Sequence, residues 1–133
     1  MALKGSGSDV TSSFITAAAA DPNGISTVAT ISGAANLTIN GALADGGSVT
    51  MDCPRNVTIL SAADDSGITF TVTGTDESGT AITEVITGAD STTATGSSFF
   101  QTVTQIATSG SSTGNVSAGS GTSCSGVISA ARC

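Results

Sequence analysis

Apolar and polar residues alternate along much of this chain, and the repeat is two residues rather than three or four. The clearest case is Gly67 to Gly88, GITFTVTGTDESGTAITEVITG. Ile68, Phe70 and Val72 interleave with Thr69, Thr71 and Thr73, so apolar and hydroxyl side chains fall on opposite faces of a strand. In the second arm Ile82 and Ile86 share a face and Val85 takes the other. Thr75-Asp76-Glu77-Ser78-Gly79 lies between them, a short polar loop ending in a residue that accepts positive φ. The stretch predicts a β-hairpin with one apolar face, and such a face needs a second layer over it.

Shorter strands are predicted on either side. Ile25 to Ile31 alternates loosely, and Leu37 and Ile39 alternate around Thr38. Val49 and Met51 make a brief strand before Pro54, which disfavours a central ladder position. Val57 to Leu60 follows, then the turn Asp64-Asp65-Ser66-Gly67 leads into the hairpin. Gly88 to Ser98 is polar and loop-like, Phe99 to Ala107 resumes as a strand, and Asn115 to Ala118 makes a last short one. About seven short strands and no convincing amphipathic helix predict an all-β antiparallel β-sandwich, with a small barrel as the rival.

The ends read differently from the middle. Residues 1–24 are expected to form an N-terminal arm, with Gly5-Ser6-Gly7-Ser8 flexible and Asp21-Pro22-Asn23-Gly24 a turn. Leu3, Phe14 and Ile15 are the arm's sizeable apolar side chains, suited to pinning it on another surface. Residues 25–118 form the β-sandwich domain, and residues 119–133 a low-complexity C-terminal tail.

Composition narrows the function classes. The 133 residues suit one domain, and four Phe with no Trp or Tyr leave it to build a core from small pieces. Ten acidic side chains against Lys4, Arg55 and Arg132 give a net charge of −7. That balance argues against nucleic acid as a partner, since phosphate binding needs clustered Lys and Arg, and against anionic membrane surfaces. No apolar run approaches the ~20 residues that span a bilayer, and the first residues lack a signal-peptide core. Synthesis in a cytoplasm is the expectation.

Candidate chemistry is sparse. Without histidine, a Ser-His-Asp or Cys-His arrangement has no base. Three scattered Cys make a poor zinc set. The pairs Asp64-Asp65 and Asp76-Glu77 sit at loop tips where Ca²⁺ ligands could gather, against the plainer reading that Asp caps turns. Glu84 shares the face of Ile82 and Ile86, so it either pairs with Arg55 or turns to water at a sheet edge, the second being favoured. Cys53, Cys124 and Cys133 are an odd set. A Cys124–Cys133 bridge would close a small terminal loop and leave Cys53 as a buried free thiol. These residues predict no enzyme, no metal and no cofactor.

The series CPRNVTI, DDSGITFTVTGTDESGTAITEVITGA, FFQTVTQIATSG and TGNVSAG, spanning roughly Cys53 to Gly119, resembles small virion proteins of tailed bacteriophages. It looks most like their capsid decoration, or cement, proteins. The resemblance implies a β-rich, often trimeric protein on the outer capsid surface, bracing the lattice of major capsid protein against packaged DNA. It implies the major capsid protein and its own copies, as a homotrimer, for partners. Leu3, Phe14 and Ile15 would then be the capsid-contact residues of the arm. The alternatives are a receptor-binding or adhesive module of a tail fibre, a head–tail joining protein or a tail-tube protein.

Overall fold

A computed structural model describes residues 20–124 of the chain. Regular structure there is entirely β, and no helix occurs among the described residues. The strands are β1 (Asp21–Ala29), β2 (Ala44–Asp45), β3 (Ser48–Ser61), β4 (Thr69–Thr75), β5 (Ala81–Thr87), β6 (Thr93–Thr95), β7 (Phe100–Thr108) and β8 (Val116–Cys124). All their pairings are antiparallel. They form one eight-stranded sheet, ordered β1-β8-β3-β7-β4-β5, with β2 and β6 paired to β3 off that path. The sheet does not close, and its architecture is sandwich-like.

Strand β3 makes that architecture. Its first half pairs with β2 and β7, through Val49↔Val103 and Thr50↔Thr102. Its second half pairs with β8 and β6, through Ile59↔Ala118 and Ile59↔Ala94. The exchange of partners falls at Arg55, opposite both Phe100 and Cys124, with register shifts on both sides. Pro54 stands beside it. A proline cannot donate to a ladder, and at a register shift no ladder bond is demanded of it. Pro54 therefore does not end the strand, as the sequence suggested; it marks where one 14-residue strand passes from one set of neighbours to the other.

Both halves feed one core. Val49 and Met51 from the first half of β3, Val57 and Ile59 from the second, Phe70 and Val72 from β4, and Phe100, Val103 and Ile106 from β7 are all buried in a single cluster. Ile25 from β1, Ile86 from β5 and Val116 and Ala118 from β8 complete it. Phe70 and Phe100 are the largest apolar members, each worth roughly 2–3 kcal/mol on burial.

The hairpin expected at Gly67 to Gly88 is present. Seven consecutive pairs run from Thr69↔Thr87 to Thr75↔Ala81 without a register shift. Asp76 closes the loop, its Oδ1 accepting the N–H groups of Ser78 at 2.8 Å and Thr80 at 3.0 Å. Gly79 takes φ +85° there, which a Cβ would oppose. Other expectations are corrected. Asp21 to Gly24 begin strand β1 instead of forming a turn, because their backbone lies along β8, with Asp21 opposite Ser120. Leu37 and Ile39 do not form a strand; one isolated bridge, Asn36↔Ala107, holds that segment to β7. The polar stretch before Phe100 contains β6, and β8 runs on to Cys124, through residues read as tail. For β1, β6 and β8 a neighbouring strand supplies a ladder that local composition does not reveal, whereas Leu37 and Ile39 alternate but find no such partner among the described residues.

Candidate interaction surface

The side chains that could carry chemistry are dispersed, and Asp64, Asp65, Asp76, Glu84 and Arg55 each have a structural task. Asp64 Oδ1 accepts from the Ser66 hydroxyl at 2.6 Å and the Ser66 N–H at 3.0 Å. Those two bonds, the hydroxyl first, hold the Asp64 carboxyl below its usual pKa. Asp65 is buried, and its Oδ1 accepts the Thr113 N–H at 2.6 Å. Asp76 caps the hairpin loop. No group of three or more His, Cys, Asp or Glu that could hold a metal ion occurs among the described residues. Asp64 and Asp76 thus act on the turns that carry them, whereas Asp65 reaches the distant Thr113 loop.

Arg55 does not meet Glu84. It is buried to 1% exposure in β3 and forms a two-pronged pair with Asp52, Nε to Oδ1 at 2.8 Å and Nη2 to Oδ2 at 3.1 Å. Its Nη1 donates to the Gly121 carbonyl at 2.7 Å. A buried guanidinium has to be matched this fully, because removing one partner leaves a charge without solvent. The arrangement ties β3 to β8 at the register shift. The i,i+3 spacing of Asp52 and Arg55 was visible in the sequence, but an extended strand with a shift between them was not.

Cys53, beside them, is buried and disulfide-bonded. This corrects the expectation of a free Cys53. The side chain of Cys124 and the whole of Cys133 lie outside what the structure describes. Leu3, Phe14, Ile15 and Cys133 lie outside the described residues.

Glu84 has a different partner from either one expected. Its Oε2 accepts the Ser97 N–H at 2.6 Å and the Ser97 hydroxyl at 3.1 Å, and its Oε1 accepts the Ser98 N–H at 3.1 Å. The loop from Gly96 to Ser98 thereby docks on the inner side of β5, and Gly96 N–H donates to the Val57 carbonyl, one step beyond the β3–β6 ladder. A carboxylate holding two backbone N–H groups draws β5 toward the second half of β3 without a ladder between them.

What this leaves exposed is the outer side of β5 and the face of the hairpin. Ala81, Thr83, Val85 and Thr87 are all exposed, Val85 at 60%. On the same face Thr87 stands opposite Thr69, Val85 opposite Thr71 and Thr83 opposite Thr73. In the next strand Ala107 stands opposite Thr71 and Gln105 opposite Thr73. The result is an uncharged, threonine-rich surface on a strongly acidic chain.

No family model matches the chain, and neither does any curated protein or solved structure.

Proposed function

We propose that this chain is a virion structural protein, a capsid cement protein that binds the outer surface of a phage head and stabilises its lattice. The resemblance of residues from Cys53 to Gly119 to phage decoration proteins supports this reading on the sequence side. The carrying structural observation is the uncharged threonine and valine face of the β4–β5 hairpin, displayed at the end of the sheet. Such a face suits contact with protein, since it offers hydroxyls and β-branched methyls without charges that must be stripped of water. The acidic remainder keeps the protein off the genome and in contact with protein and solvent.

In this reading the major capsid protein is the partner, Leu3, Phe14 and Ile15 are the anchors, and the sheet is the body they hold in place. Apolar anchors carry much of the energy of a typical interface, so Phe14→Ala should weaken head attachment while thermal unfolding of the free protein stays the same. The deciding experiment is quantitative mass spectrometry of purified virions, followed by adding the protein back to heads that lack it. A copy number in a fixed ratio to the major capsid protein, with co-sedimentation and a higher head-rupture temperature, is expected. A handful of copies per particle, or binding to host cells instead of heads, would overturn the proposal in favour of a joining or adhesive part.

A further inference from the structure

We infer that the outer edge of β5 is a docking site for a second copy of this chain, pairing β5 with β5 in antiparallel fashion about Val85. The inference stands without the cement reading, and it puts a two-chain pairing in place of the homotrimer that the resemblance implies.

The ladder between β4 and β5 fixes which backbone groups are free. Gly88 N–H donates to the Ile68 carbonyl at one end, and Asp76 N–H to the Thr80 carbonyl at the other, both at 2.9 Å. Antiparallel pairs alternate between exchanging both hydrogen bonds and exchanging none. Between those ends, Phe70/Ile86, Val72/Glu84 and Gly74/Ile82 are therefore the bonded pairs. It follows that Ala81, Thr83, Val85 and Thr87 direct their N–H and C=O groups away from β4, to the outside of the sheet. The sheet ends at β5, and no hydrogen bond reaches those four residues from the other described segments.

An edge of this kind is normally blunted by a lysine, a proline, a bulge or an inward-pointing charge. Strand β5 has no lysine, no proline and no register shift. Its single charge, Glu84, points inward but is already engaged by Ser97 and Ser98, so it does not oppose an incoming strand. The other edge of the sheet is closed. Along β1, Gly41 N–H donates to the Ile25 carbonyl, Leu43 N–H to the Gly24 carbonyl and Thr27 N–H to Asn40 Oδ1. Pro22 and two register shifts break its regularity further. Head-to-tail strand addition, which would build a ring of three through the two ends of the strand order, needs both ends open, and the β1 end is covered.

Two facts select a second copy as the occupant. The outward set of Ala81, Thr83, Val85 and Thr87 is self-complementary: with Val85 opposite Val85, Thr83 falls opposite Thr87, and each copy's free groups meet free groups. Glu84 then stands opposite Ile86 and not opposite another Glu84. Charge is the second fact. Copies with a net charge of −7 repel each other, and this neutral row is a place where two can approach. About six backbone hydrogen bonds form, and the exposed Val85 side chains cover one another. So small an interface is weak, and screening the mutual repulsion with salt strengthens it.

The test is analytical ultracentrifugation of the full chain, with free thiol capped by iodoacetamide, at loadings up to about 1 mM and at low and high salt. The expected result is a mass rising from one chain toward two with concentration, more readily at high salt. Val85→Lys should weaken the association at least about tenfold, and Thr83→Pro likewise, because it deletes an outward N–H. Val28→Lys, at a similarly exposed valine on the covered edge, should leave it unchanged. Hydrogen exchange adds a local readout: the Thr83, Val85 and Thr87 amides should slow with concentration. A single-chain mass at every loading, a three-chain mass, or loss of association in Val28→Lys with none in Val85→Lys would each overturn the proposal.

Discussion

The two edges of this sheet are built on opposite principles. Strand β1 is irregular, and the loop at Asn40 to Leu43 lies along it and takes up Ile25, Gly24 and Thr27. Strand β5 is regular for its whole length and is left bare. Poor pairing with β8 makes β1 dependent on its cover, whereas the unbroken ladder to β4 lets β5 stand with one side open. The cover also demands close approach. A Cβ on Gly41 would lie 2.3 Å from the Asn23 carbonyl oxygen and from Gly24 backbone atoms, which leaves no room for a side chain. Irregularity and burial go together on one side, regularity and exposure on the other.

The comparison breaks most sharply with proline within β5 itself. Ile86→Pro removes a bond to Phe70 and should cost about 3 kcal/mol or more in urea unfolding, while Thr83→Pro should cost less than about 1 kcal/mol. Equal losses would mean that the assignment of outward groups is wrong. Next in size, Gly41→Val should push the loop away from β1 and lose about 2–3 kcal/mol, with hydrogen exchange at Thr27 rising before global unfolding. Unchanged exchange at Thr27 would show that β1 needs no cover.

Glu84→Ala leaves the Ser97 and Ser98 N–H groups without their carboxylate and should lower stability by about 1.5–2 kcal/mol. A loss near zero would mean that the loop holds β5 by packing alone. The smallest effect lies at the turn before β4, away from either edge. Ser66→Ala should raise the Asp64 pKa toward the ordinary carboxylate value, followed by NMR titration. The folded-state pKa of Asp64 is depressed, so its contribution to stability is present above the unfolded pKa. That contribution is lost as pH falls through the folded value. Without the Ser66 hydroxyl that acid-side loss should shrink, whereas both edges should respond to acid as before.

The hairpin was legible in the sequence because everything that specifies it is local. Alternation at Phe70, Val72, Ile82 and Ile86 sets the inner face, and Asp76 and Gly79 set the loop. That the core is built largely from small aliphatic residues was also readable, whereas which of the four phenylalanines enter it was not. The ends of β1 and β8 were not, because Asp21 to Gly24 and Gly119 to Cys124 are turn-like or low in complexity and become strands only against each other and β3. The surface was half legible: Val85 was assigned to the outer face, yet nothing in AITEVIT says whether its strand lies inside a sheet or at its rim.

By itself, then, the sequence determined the all-β class, the inward and outward faces of the hairpin, and the acidic, cation-poor surface. These follow from period-two patterning and from charge counts, which need no knowledge of neighbours. Tertiary structure alone decided the exchange of partners along β3, the pairing of Arg55 with Asp52 and the bonding of Cys53. It also decided the docking of Glu84 on Ser97 and Ser98, and which edge of the sheet is covered. Each depends on groups brought together from distant parts of the chain or on the register between strands. A sheet's register is set by its global packing and leaves little trace in any one segment.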